Sequence, residues 1–397
     1  MHAEHTILTD PIKPVERAER SAIVDSLRGF ALLGVLFANF TSYNEQQVPA
    51  AVLENISSPF DRTLMHINSI FLEHKFMTLF SILFGYGFGL ILASLEKKNI
   101  HPNAFFIRRM CWLFVFGIVH ALFWWGDVLH LYAVTGALLL LFRKLSPRII
   151  FTCALFCMLV IPGLFSFIAR DQPDFFNDSN IQKIYAACRY GNILDVFRIN
   201  LTVNYNAFIV SGTDLRDIAE TLGRFLFGYF LLRIQLFERI ETKAIFFRKM
   251  LLLTTLPAIA YLIIRWMSLH GKLLTDEYYW QPVLGIGILS TTCFYSCLVV
   301  LAFISFGRTR FFKALQALGR MTLTNYLLIS AIMVTNLYGI GLGQLGTLPM
   351  HTIWLMALEW LLIEIVSSAY WSARFRYGPL EWIWRQLTYA KRLPLRK

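Results

Sequence analysis

Ten apolar stretches recur along the chain, at residues 28–44, 76–95, 109–125, 128–142, 149–168, 219–236, 249–267, 283–306, 318–338 and 352–371. Their lengths centre on the about 20 residues that a helix needs to cross a hydrocarbon core roughly 30 Å thick. Backbone polar groups in lipid must bond within their own segment, so the stretches predict helices and not open strands. The expected fold class is all-α: a polytopic integral membrane protein with ten transmembrane helices. The pattern divides the chain into a polar N-terminal segment (1–27), a five-helix half (28–168), a long connection (169–217), a second five-helix half (218–371) and a basic aromatic tail (372–397).

Composition supports this reading. The chain is 56% hydrophobic and 16% charged, with a mean hydropathy of +0.54, more apolar than a soluble domain sustains. Charge then sets orientation. Of the 37 Lys and Arg, 26 fall on the termini and alternate connections, and eight on the remaining connections. That asymmetry predicts both termini in the cytoplasm, with 45–75 and 169–217 outside. The net charge of +12 is dispersed over short loops, so anionic lipid is the expected partner and nucleic acid is not. No apolar stretch precedes residue 28, and the first span is expected to act as an uncleaved signal anchor. Of the six cysteines, only Cys188 falls in an outer connection, so no disulfide framework is implied. The sequence shows no Walker loop, dinucleotide fingerprint or paired-cysteine zinc pattern, and no metal is expected. Oligomeric state leaves no mark on the pattern.

Charged groups at membrane depth cost about 2.5–3.5 kcal/mol each, so they are the best guide to function. Four sets stand out. Asp25 and Arg28 share a face at the entry to the first span, and Asn39 lies fourteen residues after Asp25. Glu73, His74 and Lys75 stand at the outer start of the second span, where a proton relay and a solvated helix end are both open readings. His120, Trp124, Trp125, Asp127 and His130 surround a tight turn between the third and fourth spans, predicted to be about two residues long. An Asp beside an imidazole orients it and stabilises its cation, the arrangement of a general base. The alternative is a satisfied histidine, with Asp127 capping the next helix. Arg224 opens the sixth span after Asp217 and Glu220; it either grips an anionic group or pairs with Glu220. Two glycine-bearing runs, Leu83–Phe88 and Leu226–Phe230, echo one another like the repeats of a transporter, and the glycine-rich run Gly85–Gly89 is expected to allow close helix contact.

Six short pieces, taken together, resemble the YeiB-like bacterial membrane proteins, a family carried as a domain of unknown function. They are Arg28–Gly34 with Asn39, Lys75–Gly85, Gly126–Leu129 with Tyr132-Ala133, Leu222–Arg224 with Gly228, Gly319–Tyr326, and Tyr377–Trp382. The resemblance covers about residues 20–390 and implies a multi-pass protein of the bacterial cytoplasmic (inner) membrane. The Asp25-x-x-Arg28-Gly29 motif with Asn39 is also similar to that of the heparan glucosaminide N-acetyltransferase family. Members of that wider group move an acyl group from cytoplasmic acyl-CoA to an acceptor beyond the membrane. This resemblance implies a place for Asn39 near the reacting centre, with acyl-CoA as co-substrate and no bound cofactor. It also implies a catalytic His eleven residues after the Asn, where this chain has Ala50.

The expectation is therefore a transmembrane acyltransferase acting on a small-molecule, sugar or lipid acceptor. His120 is expected as the base, oriented by Asp127, with Asn39 donating to the oxyanion and His74 and His66 as substitutes for the base. Arg224, Glu73, Lys75, His130, Asp25 and Arg28 are the expected substrate-binding residues. The competing expectation is a proton-coupled transporter or exporter of a small metabolite using the same polar groups.

Overall fold

The computed structural model describes residues 21–99, 101–169, 175–271 and 277–397. Most of the expected N-terminal segment, together with Arg170, Asp171, Asp174 and Lys272, lies outside the described residues. The helices, in order, are α1 Ala22–Glu45, α2 Ala50–Ile56, α3 Pro59–Ile67, α4 Lys75–Lys97, α5 Pro102–Ala121, α6 Leu129–Phe142, α7 Pro147–Leu155, α8 Ile161–Ala169, α9 Asp178–Tyr190, α10 Ile193–Val203, α11 Thr213–Arg233, α12 Ala244–Leu269, α13 Glu277–Phe306, α14 Arg310–Arg320, α15 Thr322–Leu337, α16 Met350–Arg374 and α17 Pro379–Tyr389. Among the described residues no β-strand forms. Each of the ten predicted stretches falls on a helix or a broken pair of helices. Seven helical runs are long and apolar enough to cross a membrane, and α14 with α15 makes an eighth if the bent pair is one span. The stretch on α6 is shorter, and α11 carries several charges. The outward faces of α12 and α16 leave Leu252, Leu256, Leu362 and Val366 exposed, as helices facing hydrocarbon do.

Two crossings lock the bundle, and both depend on glycine. A methyl at Gly228 of α11 would lie 1.8 Å from the Ile82 carbonyl oxygen of α4, and one at Gly85 would lie 2.0 Å from that of Phe225. The echoing sequences therefore pack directly on each other, backbone to backbone, as small residues permit between membrane helices. Gly29 of α1 and Gly319 of α14 make the second crossing in the same way.

The predicted span at 318–338 is not one helix. It breaks at Met321, and α14 and α15 meet at 80°. The free N–H groups that begin α15 find their acceptor in α17: Glu381 takes the N–H of Leu323 at 2.7 Å and of Thr324 at 3.1 Å, and the Thr324 hydroxyl at 2.6 Å. A carboxylate at a helix N-terminus satisfies orphan donors and opposes the helix dipole. Burial pushes the Glu381 carboxyl up, against the bonds from Thr324 and Leu323. A carboxyl raised above its unfolded value of about 4.3 holds its proton more tightly when folded. Its contribution to stability is full below about pH 4.3 and is lost as pH rises through the folded value. Glu381→Gln keeps an oxygen acceptor without the titration. The melting temperature of this variant is expected to fall less than that of the wild type as pH rises above about 4.3; parallel curves would count against the assignment.

The long connections at 45–75 and 169–217 are helical as well. α3 starts in a capping box in which the Ser58 side chain accepts from the Asp61 N–H while Asp61 accepts from Ser58 N–H. Asp61 also accepts from the His351 N–H at 2.7 Å, which ties α3 to the start of α16. α9 and α10 bury Ile184, Cys188, Val196 and Val203 in a second core with Leu36, Phe40, Tyr43, Trp124 and Tyr338. Cys188 is thus fully buried in a helix, where the sequence predicted a loop cysteine open to solvent. Its side chain fills the seam between α9 and the Tyr338 ring, and pattern alone does not show such a seam.

Candidate functional site

The bundle has a loop end, under the 169–217 connection, and a tail end, where α17 lies. The turn between α5 and α6 is at the loop end and runs seven residues, 122–128, not two. Asn200 of α10 unwinds and fixes it, donating to the Leu122 carbonyl at 3.0 Å and accepting the Trp125 N–H at 3.1 Å. Trp124 stacks on Tyr43, ring centroids 3.7 Å apart. The chain consequently folds back, and Asp127 meets His120 even though the helix does not continue between them.

The Asp127 side chain is fully buried between two imidazoles. Its Oδ1 lies 2.6 Å from His120 Nδ1. Its Oδ2 accepts the His130 backbone N–H at 3.0 Å and lies 2.8 Å from His130 Nδ1. Burial works against the charge, but the bonds from His120 and His130 prevail and hold the carboxyl below its ordinary range. A carboxylate only accepts, so Nδ1 of each ring donates to Asp127 and Nε2 is the nitrogen that faces away from it. The two rings then differ in access. His130 is partly exposed and lines a cavity of about 350 Å³. His120 is buried edge-on to Tyr326, ring centroids 5.2 Å apart, and its Nε2 has no hydrogen-bond partner among the described residues.

The loop-end cavity is polar. α1 contributes Asn39 and Ser42, the residue that caps it contributes Gln46, and the turn with α6 contributes Asp127, His130 and Tyr132. From α11 come Asp214, Arg216, Asp217, Glu220, Thr221 and Arg224. Arg216 pairs with Asp217 at 3.0 Å and Arg224 pairs with Glu220. Asp214 makes no ion pair among the described residues. His74, just before α4, reaches the same cavity from a left-handed backbone at φ 64°.

A second cavity, of about 190 Å³, opens at the tail end. Four arginines line it: Arg28, Arg109, Arg320 and Arg385, against two acids, Asp25 and Glu381. Asp25 lies 3.3 Å from Arg320 and 3.9 Å from Arg28, and Glu381 is committed to the α15 N-terminus. Arg109 lies over the Trp384 ring, 3.6 Å from its centroid. Between the two cavities is a small apolar chamber of about 70 Å³. It shares Met77, Val128 and Tyr132 with the loop-end cavity, and Phe80, Phe84, Thr322 and Trp384 with the tail-end cavity. One stripe of α4 thus runs past all three spaces: Met77, Phe80, Phe84, Gly87 and Ile91. Fourteen residues of helix cover about 21 Å, two thirds of a bilayer core.

The structure places the sequence-predicted residues in three groups. Asn39, Asp127, His130 and Arg224 meet at the loop-end cavity, with His74. Asp25 and Arg28 line the other cavity. Glu73, Lys75 and His120 line neither. Lys75 is fully buried, its Nζ donating to the Ser69 carbonyl at 2.7 Å and lying over the Tyr261 ring; Glu73 bonds Ser69 and faces Arg265. A π-helical turn at 68–72 rotates this pair away from the cavity and against α12. His66 packs edge-on against His270, and Ala50 is exposed at the start of α2. Sequence reasoning missed Tyr132, Asp214, Arg109, Arg320 and Arg385 as members of one path. Each looked like a helix-end or loop charge, or a core tyrosine, until the helices converged.

Residues 231–391 match the family described as Protein of unknown function (DUF418). Over nearly its whole length the chain is similar to three bacterial proteins. It is 29% identical to Uncharacterized protein YxaH of Bacillus subtilis (strain 168), covering 97% of this chain and 98% of that one. It is 28% identical to an Uncharacterized 39.9 kDa protein in amylase 3'region of Bacillus acidopullulyticus, covering 96% and 97%. It is 27% identical to Uncharacterized protein YeiB of Escherichia coli (strain K12), covering 93% and 96%. The chain thus matches the DUF418 family over its C-terminal part and is similar nearly end to end to uncharacterised relatives that include YeiB and YxaH.

Proposed function

We propose that this protein is a transmembrane acyltransferase of the bacterial cytoplasmic membrane, moving an acyl group from cytoplasmic acyl-CoA to an acceptor on the far side. The observation that carries this reading is the row of three spaces: an arginine-lined cavity, a dry constriction, and a polar cavity holding an Asp–His pair. In this reading the tail end faces the cytoplasm, as the charge asymmetry predicts. There the arginines suit the phosphates of CoA. The thin arm of CoA threads the constriction, and the thioester reaches the loop-end cavity. Acceptor oxygen or nitrogen attacks the thioester carbon while His130 Nε2 takes its proton. Asn39 donates to the oxyanion, the contribution usually largest in acyl transfer. The C–S bond then breaks, and the imidazolium returns its proton to the leaving sulfur, so acylated acceptor and CoA thiol leave. Asp127 stabilises the imidazolium, and His120 holds Asp127 from behind.

The test uses inverted membrane vesicles, which present the cytoplasmic face. Labelled acetyl-CoA supplied outside is expected to pass its label to material inside, with release of CoA. A dry constriction between two polar cavities also fits an occluded transport path. Proton-linked flux with no CoA release would favour the transporter.

The orientation has its own test. Because Cys188 is buried, an impermeant thiol reagent is expected to spare it in intact cells. The reagent should label a cysteine introduced at the exposed Tyr190 and miss one introduced at Asn99. Labelling at Asn99 from outside would overturn the topology.

A further inference from the structure

Resting on the acyl-transfer reading, we infer that the middle chamber selects the acyl group: it passes short unbranched acyl groups, and Phe84 and Leu129 set the limit.

The argument begins with order of passage. If the CoA phosphates stay among the arginines, the acyl group enters the constriction first and the arm follows. Whatever is transferred must therefore fit the narrowest point. That space has a volume of about 70 Å³, room for only a few water-sized groups. The part of the arm next to the thioester, cysteamine and β-alanine, is unbranched and satisfies this limit, while the gem-dimethyl part beside the phosphates stays on the arginine side; an acetyl or propionyl group on the end satisfies it too. A branched or aromatic acyl group has a wider cross-section than the arm behind it.

The wall does not yield easily. Phe84 is stacked on Phe225, ring centroids 4.6 Å apart, and meets the Tyr132 ring edge-on at 5.3 Å. The Tyr132 hydroxyl is held by Ser81 at 2.5 Å. Leu129, opposite on α6, is buried in the same core. Behind Phe84, Gly85 and Gly228 bring α4 and α11 into backbone contact, so the helix cannot step back to make room. Close-packed side chains of this kind have few alternative arrangements.

Long straight chains are disfavoured for a different reason. They would pass the chamber but emerge among Asn39, Asp127 and the α11 charges, where apolar groups gain nothing from burial. The constriction thus excludes width, and the cavity beyond it excludes length.

A fitted apolar pocket discriminates one methylene by about 10–200-fold. In inverted vesicles the wild type is expected to transfer acetyl from acetyl-CoA at least about tenfold better than isobutyryl from isobutyryl-CoA, the low end of that range. Phe84→Ala is expected to bring the two rates within about threefold of each other, and the milder Phe84→Leu to fall between. The acetyl rate of each variant serves as its folding control, and Phe84→Leu decides the matter if the alanine variant does not fold. Leu129→Phe, which narrows the chamber, is expected to raise the acetyl preference. A wild type that transfers both groups equally, or Phe84→Leu and Leu129→Phe ratios equal to that of the wild type, overturns the filter while leaving acyl transfer standing. A wild type that transfers neither group to any acceptor overturns acyl transfer itself, and the filter with it.

Discussion

His130→Ala is expected to lower acyl transfer about 10²–10⁴-fold, the usual worth of general-base catalysis. Among the described residues, the ring is the one imidazole that both lines the loop-end cavity and bonds Asp127, with Nδ1 2.8 Å from Oδ2. Its removal takes away the proton acceptor but leaves the arginines at the tail end, so the KM for acyl-CoA should change far less than kcat. His120→Ala is expected to be milder. It removes the 2.6 Å contact that steadies Asp127, yet leaves Asp127 and His130 bonded to each other. Asp127→Asn should fall between the two, because both rings survive and lose their common anion. Initial rates with labelled acetyl-CoA check all three. Full activity in His130→Ala would remove it as the base, and His74, the other imidazole at that cavity, would be tested next.

Gly228→Val is expected to carry the largest stability effect. Even the first carbon of a side chain there would stand 1.8 Å from the Ile82 carbonyl oxygen and 2.9 Å from the Tyr86 nitrogen. These are backbone atoms of α4, so no rotamer change relieves the clash and the two helices must separate. Overpacking costs about 1–3 kcal/mol when side chains can adjust, and here they cannot. Separation would also pull Phe84 away from Phe225, opening the constriction. The measurement is yield of folded protein in detergent together with melting temperature, with Gly212→Ala as comparison. Gly212 has open space around it, although its positive φ of 72° adds a modest strain of its own. A Gly228→Val protein as stable as the wild type would mean that α4 and α11 do not cross at this point.

Both predictions rest on side chains whose neighbours the sequence names only in part. The Asp127–His120 pair was legible because polar residues at membrane depth are costly and few. Which imidazole faces the cavity was not legible. That depends on Asn200, 75 residues beyond Trp125, holding the turn open. Lys75 and Glu73 read as site residues for the same reason, yet a π-helical turn rotates them out of the cavity. Helical periodicity assumes a regular helix and gives no warning of such a turn.

The sequence by itself determined the apolar helices, because a bilayer forces each apolar run to satisfy its own backbone. It also determined the charge asymmetry and the family resemblance. Only the tertiary structure decided that α14 and α15 break apart, since the acceptor that permits the break is Glu381, 58 residues away from Leu323. Only the tertiary structure joined Arg28, Arg109, Arg320 and Arg385 into one cavity wall and aligned it with the Asp127 site through a dry chamber. Hydropathy and spacing are local properties of the chain. A cavity is made by residues far apart in it, and its shape follows from where helices cross, which in this protein is set by backbone contact at Gly85 and Gly228.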